Sequence, residues 1–423
     1  MSGRRKEFFY RAVLAAGLAA LLTGCGEKPQ LPVEITLIHG WGSTEADHVA
    51  MRRIYSDFEK ENPDIQLKLI SLPTSEEVVR RAEDMLMVGE VPDVLFLGGS
   101  GRNSVYRFMV ENGLALDLMP YVEQDSEFAG NLSKANTEYW TTETGQMYTV
   151  SDVLLLCGGY WYNEDIFREA GIGQTPKTWE EFFAACEKIE DWKEKNGEDI
   201  TPLWVLPEGY LYFADHMMLG KDQAMQPEVS CGNMPEPNRE IPMILDQLKA
   251  VYQFSGVEAE EYSYRDETHL FNEGRVAMYI NGVWGAPMIS EKVNASYALL
   301  PTYDGRSASC QSSCVGYVAG KSGDTKRMEA SVRFLKYIMS TPVQERILKE
   351  TGQMPANPHV DVRAITGEQT KFWQAVNLVQ IAELQIEVPE NLWENNKMDL
   401  FEENILDVLS GKLNPQTFID VIG

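Results

Sequence analysis

The sequence predicts an α/β fold built on a parallel sheet. Residues 33–97 alternate apolar strands with amphipathic helices in the order β-α-β-α-β, and such a series favours parallel strands joined by right-handed crossovers. The third strand, within 92–99, is apolar throughout, as is typical of a strand covered on both faces. About 399 residues remain after the first 24, which is enough for two domains.

The elements of the first series follow from hydrophobic periodicity. Period 2 or a short apolar run indicates a strand, and apolar residues at spacings of three and four indicate a helix. The predicted strands are 33–38 and 65–70, and the predicted helices are 45–60, which Asn62-Pro63 ends, and Ser75–Val88. Ligands of parallel sheets bind beyond the carboxyl ends of the strands. Loops 39–43 and 98–102 are therefore the candidate site loops.

The middle of the chain starts with a long β-rich passage, 145–167, followed by a well-marked helix. Thr178 and Glu181 form a capping box that predicts where this helix begins. An apolar stripe that starts at Trp179 follows, and Asn196-Gly197 predicts where the helix ends. The stripe indicates packing in a core, so we do not expect Trp179 to touch a ligand.

The second half contains one segment without periodicity and then regular elements. Residues 226–242 are rich in proline and predict an exposed loop. The predicted elements after it are helical periodicity over 243–254, a strand Val276–Ile280 with an Asn281-Gly282 turn that leads to Trp284, a strand and turn in 296–305, a strand in 314–320, two helices within 325–350 split at Thr341-Pro342, and a helical tail over 389–423 with a break at Gly411.

The first 24 residues have the layout of a secretory signal. A basic head precedes an apolar run from Ala12 to Leu22, which is shorter than the roughly 20 residues that span a bilayer. Leu22-Thr23-Gly24-Cys25 resembles the bacterial lipobox, which implies that 1–24 is a lipoprotein signal peptide and that Cys25 is lipidated. Residues 25–32 are then predicted to form a tether between the bilayer and the first strand. The alternative is a plain signal peptide with a cysteine by chance.

Charge and cysteine content exclude several classes of function. Without residues 1–24 the chain has 33 basic and 63 acidic side chains, so nucleic acid is a poor partner. The acids predict a solvated surface, with an acidic ligand-capturing surface as the alternative. The cysteine spacing is not that of a zinc site, and no phosphate-binding loop is present. We expect neither metal nor cofactor.

Five cysteines follow Cys25, and an odd number cannot all pair. Cys157 and Cys186 lie in apolar runs, so we expect both to be buried. Cys310 and Cys314 are close enough in sequence to close a small disulfide loop, a pairing that the sequence leaves open.

The order of segments resembles the sugar-binding proteins of ABC importers, a family of extracellular solute-binding proteins typified by the maltose-binding protein. The segments that carry the resemblance are "LTGC", "ITLIHGWG", "VPDVLFLG", "GYWYNEDIFREAGI", "PKTWEEF", "FNEGRVAMYINGVW", "LLPTYDG" and "KETGQMPAN". It implies a two-lobed, type II periplasmic-binding-protein-like fold with hinge strands near 149–155 and 316–320. The first lobe would hold 33–150 plus about 318–351, and the second 151–317 plus about 352–423.

A sugar site needs aromatic rings against the apolar ring face and polar groups against the hydroxyls, because each desolvated hydroxyl left unpaired costs about 1–3 kcal/mol. Trp284 matches a family position where the aromatic often stacks on sugar. Trp41 lies in a glycine-flanked loop, with local packing as the alternative. The remaining candidates are Trp204 and Tyr210, for which a core role is the alternative, Trp393 at the rim, and the polar side chains of Ser43, Glu45, Ser100 and Asp152. Glu45 could instead be a first-turn acid favoured by the helix dipole.

The resemblance implies a monomeric binding protein without enzymatic activity. It would be held by its lipid on the outer face of the cell membrane, capture a mono- or oligosaccharide between its lobes and deliver it to an ABC permease. One alternative is a binding protein for a peptide, polyamine or other non-sugar solute. A second is a surface glycosidase with two carboxylates, although no motif in the sequence selects such a pair.

Overall fold

A computed structural model describes residues 31–99, 101–218, 237–255, 264–389 and 395–422. The predicted signal peptide, most of the predicted tether and three predicted functional residues, Cys25, Ser100 and Trp393, lie outside these ranges. In the described part of the chain no helix is both long and apolar enough to cross a membrane.

The first sheet contains the predicted parallel series. Its strands are β1 (Val33–His39), β2 (Ile65–Ser71), β3 (Val94–Phe96), β4 (Thr149–Ser151) and β11 (Gly316–Ala319), in the spatial order β2-β1-β3-β11-β4. β1 pairs in parallel with β2 and β3, whereas β11 is antiparallel to β3 and β4. The two passages predicted to cross between lobes are therefore neighbours at one side of this sheet.

The second sheet lies further along the chain and is mixed. Its strands are β6 (Gly159–Asn163), β7 (Thr201–Trp204), β8 (Val276–Ile280) and β9 (Ala295–Leu299), in the order β7-β8-β6-β9. A third, three-stranded sheet is formed by β5 (Leu155–Cys157), β10 (Ala308–Ser312) and β12 (Leu384–Ile386), in the order β12-β10-β5.

Helices cover the sheets. In the first half of the chain they are α1 (Ala46–Glu61), α2 (Ser75–Met87), α3 (Ser104–Glu111), α4 (Met119–Gln124), α5 (Ser126–Asn131), α6 (Lys134–Trp140), α7 (Glu164–Glu169), α8 (Trp179–Asn196) and α9 (Gly209–Met218). In the second half they are α10 (Pro237–Phe254), α11 (Tyr264–Asn272), a 3-10 helix (Val283–Met288), α12 (Thr325–Met339), α13 (Thr341–Thr351), α14 (Val362–Thr366), α15 (Lys371–Gln380), α16 (Asn395–Leu409) and α17 (Pro415–Ile422).

Buried apolar side chains form two separate cores. The first core surrounds the first sheet and includes α12 and much of α13. The second surrounds the second sheet and includes α8, α9, α15 and the tail helices α16 and α17. The three-stranded sheet lies where the cores meet, since Leu156 belongs to the second core while its neighbour Cys157 belongs to the first.

Most sequence-predicted elements are confirmed. The capping box of Thr178 and Glu181 is present, and Gly197 ends α8 in the left-handed conformation at φ 70° that glycine adopts without strain. One prediction is wrong: residues 237–242, assigned to an exposed loop, form the first part of α10. Proline in the first turn lacks only an N–H that would have no intrahelical partner, so Pro237 can begin a helix.

The structure confirms the predicted burial of two cysteines and changes the expected surroundings of a third. Cys157 and Cys186 are buried, as predicted. Cys310 lies inside strand β10, directly opposite Cys157 on β5, and not in a loop. Cys314 is also buried, and its pairing with Cys310 stays a prediction.

Candidate ligand-binding site

A cavity of about 330 Å³ opens where the two cores meet. Trp284 and Tyr212, which line it, are partly buried against the first core, although both belong to helical elements that lie between strands of the second sheet in sequence. The lining residues are Cys157, Gly158, Gly159, Leu206, Glu208, Gly209, Tyr212, Glu267, Ile280, Asn281, Gly282 and Trp284. Four of these residues are glycines, which line the cavity with backbone atoms, and two rings provide apolar surface.

Trp284 is positioned by a short segment after strand β8. The backbone carbonyl of Gly282 accepts a hydrogen bond from the indole nitrogen of Trp161 at 3.0 Å. The Tyr297 hydroxyl donates to the carbonyl of Asn281 at 3.0 Å, and the Asn281 side chain accepts from the Gly282 amide at 2.8 Å. These bonds fix the chain just before the 3-10 helix that contains Trp284.

The Trp284 ring lies directly over Gly282. A Cβ at position 282 would approach the ring atom Cζ3 to 2.0 Å, far closer than any real contact. Glycine is therefore required at this position if the indole is to keep its place. The ring itself is only half-buried, so one part of it is open to a bound molecule.

A second cavity, of about 410 Å³, lies on another side of Trp284. Glu45 and Asp47 at the start of α1 line it together with residues of α13, α14, α15 and the 3-10 helix. Elements of both cores therefore contribute to this wall. Trp284 lines both cavities, and Glu45 shares the second one with it, so the structure brings these two predicted residues together.

Two carboxylic acids face the first cavity. Glu208 is exposed at its rim, and Glu267 is only 2% exposed. Burial, with a further contribution from the negative charge of Glu208, raises the pKa of Glu267 well above its usual range. The Asn281 side-chain amide donates to Glu267 at 3.5 Å. Burial thus favours the uncharged form of Glu267 over its carboxylate.

The predicted loop 39–43 makes its contacts mainly within the first core. The Trp41 ring packs against His48 and Phe96, with centroid separations of 5.1 and 5.4 Å. Its backbone nitrogen donates to His39 at 3.1 Å, and its carbonyl accepts from Arg52. The Ser43 hydroxyl lies 2.9 Å from His48 Nδ1. Neither Trp41 nor Ser43 lines the two cavities around Trp284.

Other predicted residues are enclosed by protein. Trp204 and Tyr210 are buried in the second core, which is the role that the sequence left open beside ligand contact. Asp152 is fully buried at the end of β4, and burial raises its pKa to about 7. Direct ligand contact by these three stays a prediction.

The sequence reasoning missed Glu208, Tyr212 and Glu267. Tyr210 and Tyr212 are two residues apart on α9, which places them on opposite sides of the helix. Because Tyr210 is buried, Tyr212 faces the cavity. Glu267 lies four residues before the core residue Phe271 on α11. An acidic residue four positions before a core aromatic residue lies on the same face of the helix, and this spacing could have identified Glu267.

The side chains that line the site are suited to stacking and hydrogen bonding. Within the described ranges no group of three or more His, Cys, Asp or Glu side chains is arranged to hold a metal ion. The lining groups can instead stack, donate and accept hydrogen bonds, which is the chemistry of a binding site for a polar organic molecule.

Comparison with known proteins gives a family match over most of the chain. A family model described as bacterial extracellular solute-binding protein matches residues 53–376. The "Multiple sugar-binding protein" of Streptococcus mutans serotype c is 23% identical over 295 residues, which are 65% of this chain and 64% of that protein. An Escherichia coli K12 protein named as an ABC transporter periplasmic-binding protein is 25% identical over 175 residues, or 41% of this chain and 38% of its own length. The chain thus spans less than two thirds of either curated relative.

Solved structures agree on the fold. A Streptococcus pneumoniae solute-binding protein, solved in complex with the blood group A-trisaccharide, superposes with a TM-score of 0.75 at 21% identity. The match covers 92% of this chain and 98% of that one. The α/β, two-lobed fold predicted from the sequence is therefore confirmed.

Proposed function

Because the chain belongs to the bacterial extracellular solute-binding proteins, we propose that it captures a carbohydrate between two lobes and delivers it to an ABC importer. The observation that carries the proposal is Trp284, a half-buried indole set between two cavities at the junction of the two cores. An aromatic face with polar groups around it suits a sugar ring. The names of the similar proteins, a multiple sugar-binding protein and a trisaccharide complex, also support a carbohydrate.

We propose that the two cores are the mobile lobes, with 33–150 plus about 318–351 in the first and 151–317 plus about 352–423 in the second. The three-stranded sheet between them supplies the hinge. A ligand that contacts both lobes binds the closed state more tightly than the open one and shifts the population toward closure. The closed form is the one that a membrane permease would accept.

A thermal-shift screen against mono- and oligosaccharides tests the proposal. A sugar present at 100 times its dissociation constant adds about 2.7 kcal/mol to the free energy of unfolding, so a true ligand raises the melting temperature. Peptides and polyamines in the same screen represent the alternative solutes. Stabilisation by one of these and by no sugar would replace the carbohydrate with that class.

The lipid anchor is a separate part of the proposal. Lipidation of Cys25 would hold the protein on the outer face of the membrane as a monomer beside its permease. The Cys25→Ser variant should leave the membrane fraction and appear in the soluble extracellular or periplasmic fraction. Continued sedimentation with membranes would contradict the anchor and leave the sugar proposal intact.

The proteins to which this chain is similar are binding proteins, and we propose that it too binds its ligand without turnover. Incubation of the purified protein with a panel of aryl glycosides checks this. Release of the aryl group, absent in a Glu267→Gln variant, would instead identify a hydrolase.

A further inference from the structure

The cavity beside Trp284 has a one-sided charge. Its described lining includes the carboxyl groups of Glu208 and Glu267 and neither a lysine, an arginine nor a histidine. A negatively charged ligand would therefore lie beside carboxyl groups and would meet no basic side chain in this described lining. The same lining favours a positive group.

The charged form of the Glu267 side chain is poorly stabilised by the surrounding protein. Glu267 is 2% exposed, and its hydrogen bond from Asn281 Nδ2 spans 3.5 Å, at the outer limit of such bonds. A buried carboxylate is costly unless it is paired with a cation or held by several hydrogen bonds. Its high pKa has the same origin, namely burial and the charge of Glu208. An ammonium group in the cavity would remove this cost, because it supplies a charge and three donors.

The aromatic side chains that line the cavity also suit a ligand with an ammonium group. Trp284 and Tyr212 line the cavity that contains Glu267. An indole or phenol face attracts a cation as well as the C–H face of a sugar ring. One molecule with a sugar ring and an ammonium group would use both features of this lining.

Resting on the function proposed above, we propose that this cavity selects an amino sugar with a free, protonated amine. Glu267 is the specificity-determining residue, and Glu208 at the rim attracts the cation. Neutral sugars of the same shape bind more weakly, and acidic sugars are rejected.

Calorimetric titration with matched sugars tests the inference. Each set differs only at carbon 2, which bears a hydroxyl, a free amine or an acetylated amine. The sets are glucose, glucosamine and N-acetylglucosamine; galactose, galactosamine and N-acetylgalactosamine; and cellobiose, the chitosan disaccharide and diacetylchitobiose. In at least one set we expect the amine to bind about tenfold more tightly than both neutral members, as for a desolvated charge pair.

Glu267→Gln keeps the shape and removes the charge. We expect it to abolish the advantage of the amine and to leave the affinity for the neutral sugars little changed. Glu208→Gln should reduce the advantage in part and provides a second readout if Glu267→Gln does not fold. Glu90→Gln removes an exposed glutamate that lines neither cavity and should change nothing.

The outcomes separate this inference from the function on which it rests. Binding of neutral sugars with no preference for the amine, or a preference that survives in Glu267→Gln, overturns the amino-sugar specificity alone. Absence of binding by every sugar, here and in the wider screen, overturns the carbohydrate function as well.

Discussion

The loop at Trp41 and the segment at Trp284 share one sequence pattern but have different surroundings. In each, a tryptophan follows a strand and has glycine close by. The Trp41 loop is held by His39, His48 and Arg52, and its ring packs on the first core. Trp284 also contacts the first core, but its ring lies over Gly282 and it lines two cavities. The sequence pattern thus locates the end of a strand, but the side chains around each indole decide whether a ligand can reach it.

The difference has a physical cause in the neighbours of each ring. α1 follows the Trp41 loop at once and brings His48 against the indole at 5.1 Å. Trp284 belongs to the short 3-10 helix after Gly282, and part of the residue remains open to solvent. Four substitutions test this contrast.

Trp284→Ala should have the largest effect on binding. We expect the affinity for the identified sugar to fall about thirtyfold or more, since truncation of a central aromatic anchor costs about 2 kcal/mol or more. The melting temperature should change less than in Trp41→Ala, because the Trp41 ring packs on two other rings whereas the Trp284 ring lies over Gly282. Calorimetric titration and thermal unfolding measure the two quantities. Trp192→Ala, at a half-buried tryptophan of α8 that lines neither cavity, is the matched control, and equal affinities for the two variants would remove Trp284 from the site.

Trp41→Ala should reduce stability more than it reduces affinity. The ring makes core contacts with His48 and Phe96, and full burial of such a ring is worth about 3–5 kcal/mol. Half-burial predicts a loss of about 1–2 kcal/mol in the free energy of unfolding, with a smaller change in affinity than in Trp284→Ala. Denaturant titration measures the loss, and Trp41→Phe should recover part of it. A variant of full stability that no longer binds sugar would show that Trp41 is a ligand contact, as its sequence position suggested.

Sequence patterns predicted the fold well where the signal was local. The capping box at Thr178, the alternating segment 33–97 and the split at Thr341 each depend on neighbouring residues. They did not predict the sheet β12-β10-β5, because its strands come from three distant parts of the chain and are three to five residues long. Short strands of this kind have too little periodicity to stand out.

The candidate site was less predictable than the fold. Trp284 and Glu45 were selected and do line cavities, whereas Trp204 and Tyr210 turned out to be enclosed in a core. Aromatic residue type alone does not distinguish a wall from a core, since both bury rings. The phase of helix α9 does distinguish them, and it assigns the cavity to Tyr212.

Gly282→Ala tests the placement of Trp284 without removing its ring. The added methyl would lie 2.0 Å from ring atom Cζ3, so the indole has to move. We expect a loss of affinity of roughly threefold to tenfold, because one group misplaced in a preformed site forfeits part of its contact. Gly323→Ala is the control, since a Cβ there meets nothing within 4 Å. An unchanged affinity in Gly282→Ala would mean that ligand does not use the indole in its present position.

Asp152→Asn should have the smallest effect on affinity, because the buried Asp152 lines neither cavity around Trp284; its effect is on how stability depends on pH. The pKa of Asp152 is about 7 in the folded chain, against about 3.9 in the unfolded one. Below about pH 4 both states hold the proton, and its contribution to stability is fully present. As the pH rises through 7 that contribution is lost, because the unfolded chain ionises freely while the folded chain has to ionise in a buried place. Asp152→Asn cannot ionise, so its melting temperature relative to the original protein should rise between pH 5 and pH 8. The exposed Asp84→Asn variant controls for loss of one charge, and a difference independent of pH would show that Asp152 ionises as readily in the folded chain as in the unfolded one.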